Sequence, residues 1–360
     1  MSARPILQVI TDNNLRGGQV FAADLHVALE AMGESIRTVA LSPGSGDRIL
    51  DFDVLGPSRR HVKTLQALRR EMGRSSVVVG HGSTTLPMCT MAGRGLATPF
   101  VYRQISEQRF WVNTPGRRFR TGLGLRAADH VTALWQGAAD VLISDFGVSP
   151  DDITIIPNGV PATRCPPITS EQRLEAQTRF GLDPGRPTLL SLGAFAREKG
   201  VDVLVEAMRS PELASWQLLL VGAGPERQHL ERRAGKAPAG SVIIHGPVSS
   251  GQEAIAAADV IGLTSRGGDS MPAVLIEAGM MGIPAVATPV EGIVDIVIEG
   301  RTGKLVPLDD PAATAHAARF VEERAEAFGS AAREHCSTNF EIASVAKRWL
   351  EVLNRVREKQ

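Results

Sequence analysis

Residues 264–288, TSRGGDSMPAVLIEAGMMGIPAVAT, bring an acid, a glycine-rich turn and a helix start into one short span. Asp269 precedes the helix and Glu277 lies inside it. Pro272 is expected at the first helical position, where its missing N–H would have no partner anyway. The amides of Ala273 and Val274 would then point out of the helix N-terminus, where the macrodipole favours an anion. A phosphate flanked by two carboxylates that accept hydrogen bonds from hydroxyls suits a ligand that is part phosphate and part sugar. Upstream, residues 191–202 (SLGAFAREKGVD) read as a strand, a glycine turn and the next helix, and the turn carries Arg197 and Lys199. Cations on a loop at the carboxyl end of a strand sit where open α/β sheets bind ligands. Two of them would neutralise a departing diphosphate. A solvated loop with incidental charges is the competing reading of that segment.

Other motifs carry less. Residues 221–225 (VGAGP) match half of a dinucleotide-binding fingerprint but lack its third glycine, so a tight strand-to-helix turn fits better. Asp51 and Asp53 have no further ligands near them in sequence, and no metal site is expected. His81, in VVGHG, lies at the carboxyl edge of a strand, either lining a ligand site or as a satisfied structural histidine. Gly17 and Gly18 follow the first strand, where their amides would approach a phosphate or sugar, or would simply make a turn.

The elements that must position these residues alternate regularly. Strands are expected at 6–10, 37–41, 77–79, 100–102, 131–134 and 153–156, with helices at 20–32 and 62–72 among them. The rhythm restarts with strands at 188–192, 217–221, 242–244, 260–263 and 285–288, and helices at 201–208 and 226–234. Each half reads as a doubly wound parallel sheet. The expected domains are 1–165 and 166–342, facing each other across a central cleft, with a terminal helix at about 343–360 crossing back to the first. At 360 residues the chain exceeds the usual size of one core.

Zero net charge hides an asymmetry. Residues 1–164 hold 18 Lys and Arg against 14 Asp and Glu, and within 54–128 there are 13 basic residues against Glu71 and Glu107 alone. This basic surface, with Phe110, Trp111 and Phe119 interleaved, suits an anionic membrane, an anionic acceptor or nucleic acid. The alternative is a solvated face with its aromatics tucked into the core. The three cysteines are widely spaced and form no metal or disulfide pattern, which points to a reducing, cytoplasmic setting. The N-terminus reads as a strand without the apolar core of a signal peptide.

Taken in order, the segments 11–18, 128–131, 153–160 (ITIIPNGV), 192–202, 221–225, 245–246, 257–260, 269–277, 292–295 and 302–307 (TGKLVP) resemble those of the family 4 retaining glycosyltransferases of the GT-B fold, across nearly the whole chain. The resemblance implies transfer of a sugar from a nucleotide-sugar to a glycan, lipid-linked or small-molecule acceptor, with anomeric configuration kept and with no metal or other cofactor. It implies that Arg197 and Lys199 bind the diphosphate, that Glu277 binds the ribose hydroxyls, and that Asp269 contacts the donor sugar. The Ala273 and Val274 amides would hold the β-phosphate, and His245, Gly246 and Val248 would lie near the base. Gly17 and Gly18 would close the site from the acceptor domain, where His81 and Arg103 are the acceptor-side candidates.

Departures from the family pattern are specific. Asp269 stands where a glutamate opens the family's acid pair, Ala194 where an arginine is frequent, and Glu291 where a glycine pair begins. Arg103 and Gln104 replace a histidine after the strand at 100–102. The partners expected are therefore a nucleotide-sugar, a glycan or lipid-linked acceptor and an anionic membrane at the inner face, not nucleic acid. A non-catalytic nucleotide-sugar-binding protein, or a GT-B-fold epimerase or phosphorylase, are the alternatives.

Overall fold

A computed structural model describes residues 4–46, 48–106, 109, 112 and 114–359. The chain divides into two units, Met1–Val160 with Ile342–Gln360, and Pro161–Glu341. Among the described residues the first contains β1 (Ile6–Asp12), β2 (Ile36–Ser42), β3 (Asp53–Val54), β4 (Val77–His81), β5 (Phe100–Arg103), β6 (His130–Ala133) and β7 (Ile153–Ile155). They form one sheet in the order β3-β2-β1-β4-β5-β6-β7, parallel throughout. The second contains β8 (Thr188–Leu192), β9 (Gln217–Val221), β10 (Val242–His245), β11 (Val260–Leu263), β12 (Ala285–Ala287) and β13 (Gly303–Leu305), ordered β10-β9-β8-β11-β12-β13 and also parallel.

The inner strands are buried because helices cover the sheets, as apolar runs such as Leu218–Val221 demand. Two short edge strands were not foreseen. β3 is the dipeptide Asp-Val and β13 the tripeptide Gly-Lys-Leu, too short and too polar to show a strand pattern. β3 forms by pairing Val39 with Asp53 and Ala40 with Val54 at the sheet edge. Asp53 is engaged there by Arg37 at 2.7 Å.

Strand order reverses direction between β1 and β4 in the first sheet and between β8 and β11 in the second. At such switch points the connections diverge to opposite faces and leave a crevice at the carboxyl ends of the strands. The segments after β8 and β11 are those that carry Arg197, Lys199 and Asp269.

The helix Gly17–Ala31 starts three residues before the expected Val20, directly at its glycine pair. It buries Phe21, Leu25 and Leu29, a one-turn repeat that makes a single apolar stripe. Against that stripe packs the terminal helix Ile342–Glu358, which buries Val345, Ala346, Trp349, Val352, Leu353 and Val356. The preceding helix, Ala325–Phe340, ends because Glu341 is extended (φ −69°, ψ 132°), and the Ile342 amide then donates to Val160 O at 3.1 Å. The terminal helix is thereby part of the first unit, sharing a core with Ile6, Val77, Val79 and Val101.

Trp349 is fully buried in that core. Trp349→Ala is expected to lower the stability of the first unit by about 3–5 kcal/mol, read as a shift of the urea midpoint. An unchanged midpoint would mean that the helix is dispensable for that unit.

Candidate active site

The donor half of the expected site lies in the second unit, and its first wall is the turn after β8. Arg197–Lys199 is one turn of 3-10 helix closed by Gly200, which has φ +61° and starts the helix Val201–Ala207. A Cβ on Gly200 would stand 2.0 Å from Thr264 O, so a side chain there would push the β8 and β11 loops apart. Thr264 returns the contact by donating from Oγ1 to Gly200 O at 2.8 Å.

The neighbouring Arg266 fastens the two loops together. Its backbone N–H donates to Glu198 O at 2.7 Å and its Nη1 to Arg197 O at 2.8 Å. The guanidinium also forks onto Asp202, at 2.9 and 3.0 Å, while Nε reaches Asp309 at 2.6 Å. Asp309 is itself in the left-handed region, at φ 55°. Burial pushes the Asp202 carboxyl up, but the hydrogen bonds and charge of Arg266 outweigh it and hold it below its usual value. The family motifs named above single out neither Arg266 nor Asp309. Their partners are 64 and 43 residues away in sequence, which no local pattern reveals.

Lys199 Nζ forms an ion pair with Asp269 Oδ1, and the Ser265 hydroxyl donates to the other carboxylate oxygen. Asp269 is 7% exposed, so this pair is largely withdrawn from solvent. Arg197, two residues away, is exposed. Pro272 is the N-cap (φ −70°, ψ 119°) rather than the first helical residue, because its backbone is still extended and its carbonyl receives the Leu275 amide at 3.1 Å. The helix runs Ala273–Met280, and Ala273 and Val274 supply its first two amides as expected.

Glu277 sits within that helix, with Arg164 Nη1 at 3.5 Å from Oε1. A Cβ on Gly251 would lie 3.1 Å from the Leu192 side chain and 4.0 Å from Glu277 Oε2, so the carboxylate approaches the end of β8. His245 ends β10 at the sheet edge, exposed, and meets the buried Phe180 edge-on at 5.2 Å between ring centroids. Gly246 and Val248 follow it and are half-buried.

The 221–225 glycines serve packing. A Cβ on Gly222, at φ +152°, would meet Gly193 O at 1.8 Å, and the Phe195 amide donates to Ala223 O at 2.8 Å. The turn is thus pressed against the Gly193–Phe195 loop, and a tight strand-to-helix turn is the reading that describes it. Glu291, where a glycine was expected, adopts φ 49°. A non-glycine residue in this region costs of order 1 kcal/mol. Its carboxylate is bonded to the Gly268 amide at 2.6 Å, which offsets the strain and buttresses the turn before Asp269.

In the first unit, Gly17 is exposed and Gly18 half-buried at the start of the helix Gly17–Ala31. The acceptor-side candidates lie deeper. His81 is 3% and Arg103 1% exposed, because β4 and β5 are inner strands. His81 Nε2 is 2.8 Å from Gln8 Oε1, and Arg103 stacks on Phe21 at 3.7 Å and donates to Asn158 Oδ1. His81 is therefore a satisfied buried histidine, and Arg103 belongs to the same inward-facing network. The aromatics Phe110 and Trp111 of the basic surface, with Glu107, lie outside the described residues.

Known families share this architecture. The family description "Glycosyltransferase Family 4" matches residues 15–164, and "Glycosyl transferases group 1" matches residues 186–323. The chain belongs to glycosyltransferase family 4. Among family relatives, the alpha-maltose-1-phosphate synthase of Mycolicibacterium smegmatis is 28% identical over 253 residues, covering 64% of this chain and 64% of that protein. The D-inositol 3-phosphate glycosyltransferase of Pseudarthrobacter chlorophenolicus is 34% identical over 175 residues, 46% of this chain and 40% of the relative. The chain spans less than two thirds of the length of these curated relatives. A crystal structure of Anabaena HepE in complex with UDP and glucose superimposes with a TM-score of 0.83 at 15% identity, covering 98% of this chain and 99% of that one. The fold is GT-B.

Arg266→Lys retains the charge but loses the planar fork. It is expected to destabilise the second unit by roughly 1–3 kcal/mol and to speed amide hydrogen exchange at Lys199 and Arg266. Unchanged exchange at those amides would refute the fastening role. In the first unit, His26, His81 and His130 are all held below the ordinary value of 6.5, chiefly by burial. The unfolded chain then binds more protons below that pH, so the first unit should lose stability as pH falls from about 6.5 toward 5. Urea midpoints measured across that window should fall with pH; a flat response would contradict buried neutral histidines.

Proposed function

We propose that this protein is a retaining glycosyltransferase that moves a sugar from a nucleotide-sugar to a glycan or lipid-linked acceptor. The carrying observation is the meeting of Lys199 and Asp269 at the β8/β11 switch point, beside the Ala273–Val274 helix start. In this reading the diphosphate rests on the Ala273 and Val274 amides, and Arg197 and Lys199 take up its charge. No metal is assigned, since side chains and amides supply the positive potential. Lys199 turns from Asp269 toward the diphosphate, and Asp269 then accepts hydrogen bonds from the donor sugar's hydroxyls. Glu277, with Arg164 countering its charge, accepts from the ribose hydroxyls. His245 to Val248 flank the base, and Gly17 and Gly18 are the contacts proposed from the first unit.

The bond between the anomeric carbon and the diphosphate oxygen breaks as the acceptor oxygen bonds on the same face. The acceptor's proton passes to the leaving phosphate oxygen. A preorganised charge that stabilises such a leaving group is commonly worth ~10²–10³ in rate. The fold neighbour HepE was solved with UDP and with UDP-glucose, which supports a uridine nucleotide-sugar as the first donor to try. Among the described residues no helix is long and apolar enough to cross a membrane. The proposed setting is cytoplasmic, with peripheral contact to an anionic membrane through the basic face of residues 54–128.

Lys199→Ala and Glu277→Ala should each lower sugar transfer about 10²–10³-fold while the unfolding midpoint stays near that of the parent. Thermal shift with UDP and UDP-sugars identifies the donor, because a ligand bound only by the native state raises the midpoint. Full transfer by both variants would sink the assignment. Donor interconversion without acceptor, or strict dependence on orthophosphate, would point to an epimerase or a phosphorylase. Donor binding without any turnover would point to a binding protein.

A further inference from the structure

The helix Pro115–Arg126 has a face that donor chemistry leaves unexplained. Thr114 caps it through its hydroxyl, and Pro115 begins it. Successive helical residues are ~100° apart, so Arg126, Phe119, Leu123 and Arg120 follow one another across one side. All four are exposed, Phe119 at 72% and Leu123 at 57%. The opposite side holds the buried Gly124 and Leu125. A Cβ on Gly124 would stand 2.7 Å from the Leu86 side chain, so the helix beds tightly on the helix Thr85–Gly93. Arg118 is directed elsewhere, pairing with Asp145 at 3.5 Å.

Exposed apolar residues scattered singly are ordinary. Here a phenylalanine and a leucine one turn apart stand at the centre of an exposed face, flanked by arginines, within the most basic stretch of the chain. An apolar ridge with cationic flanks is the complement of an anionic lipid surface: the ridge enters the acyl boundary and the guanidinium groups stay with headgroup phosphates. A nucleic-acid backbone or a soluble anionic glycan would use the arginines and leave Leu123 without a role.

We propose that the helix Pro115–Arg126 is an interfacial anchor, inserting Phe119 and Leu123 into an anionic lipid surface while Arg120 and Arg126 pair with its phosphates. This rests on the peripheral-contact reading above and assigns that contact to one element. With so small a ridge the attachment is reversible and weakens as salt rises.

The test is co-sedimentation of the full chain with phosphatidylcholine vesicles, with and without phosphatidylglycerol. The parent should bind only the phosphatidylglycerol vesicles, and less at high salt. Phe119→Ser with Leu123→Ser, which leaves the charge unchanged, should lower partitioning at least about tenfold. Arg120→Ser with Arg126→Ser should abolish the preference for anionic lipid. Urea unfolding midpoints equal to the parent's would show that both double variants are folded. Parent binding that survives loss of Phe119 and Leu123 would overturn the anchor assignment while keeping the membrane reading. A parent that ignores anionic vesicles would overturn both, and binding of a soluble polyanion equally sensitive to Phe119 and Leu123 would overturn the lipid as the partner.

Discussion

One guanidinium carries the constraint on which the proposed donor site depends. Arg266 ties the turn after β8 to the loop after β11 through the Arg197 and Glu198 carbonyls, and it anchors that junction to Asp202 and Asp309. The two loops leave neighbouring strands at the point where strand order reverses, so the fold itself drives them apart. Gly200 permits the approach by lacking a Cβ, and Arg266 with Thr264 supplies the attraction. Lys199 and Asp269 meet because of this junction.

Charge in the site is arranged in opposed pairs. Lys199 answers Asp269, and Arg164 answers Glu277, while Arg197 is exposed. Each acid thus has a cation beside it, and in the proposed function its carboxylate oxygens accept hydrogen bonds from sugar hydroxyls. An aspartate in place of the longer acid brings its carboxylate close to its own backbone, and Ser265 and Lys199 both reach it there. The shorter side chain and the Glu291 buttress of the Gly268 turn are the two local departures that shape the proposed donor end.

The first unit uses polar residues differently. The buried Gln8, His81 and Arg103, with the half-buried Asn158, form a network beneath the helix Gly17–Ala31, with Phe21 and Trp349 against it. Position at a strand's carboxyl edge left His81 as either a ligand contact or a structural histidine, and the family resemblance made Arg103 an acceptor-side candidate. Both are buried, because edge position along a strand says nothing of which helices close over it. The terminal helix, some 260 residues distant from His81, provides part of that cover.

Alternation of apolar runs with helical stripes, read from sequence alone, was enough to determine two doubly wound sheets. Each strand's burial on both faces leaves a continuous hydrophobic record, as in Leu218–Val221. The glycine–proline helix start and the cation-bearing turn were legible for the same reason, since local backbone chemistry dictates them. The edge strands β3 and β13, the Arg266 junction, Arg164 on Glu277 and the burial of His81 were not. Each depends on partners brought together by strand order, and strand order is set by how whole layers pack. The amphipathic helix Pro115–Arg126 shows the division clearly: its residues announced charge and aromaticity, but only packing through Gly124 decided that Phe119 and Leu123 face outward.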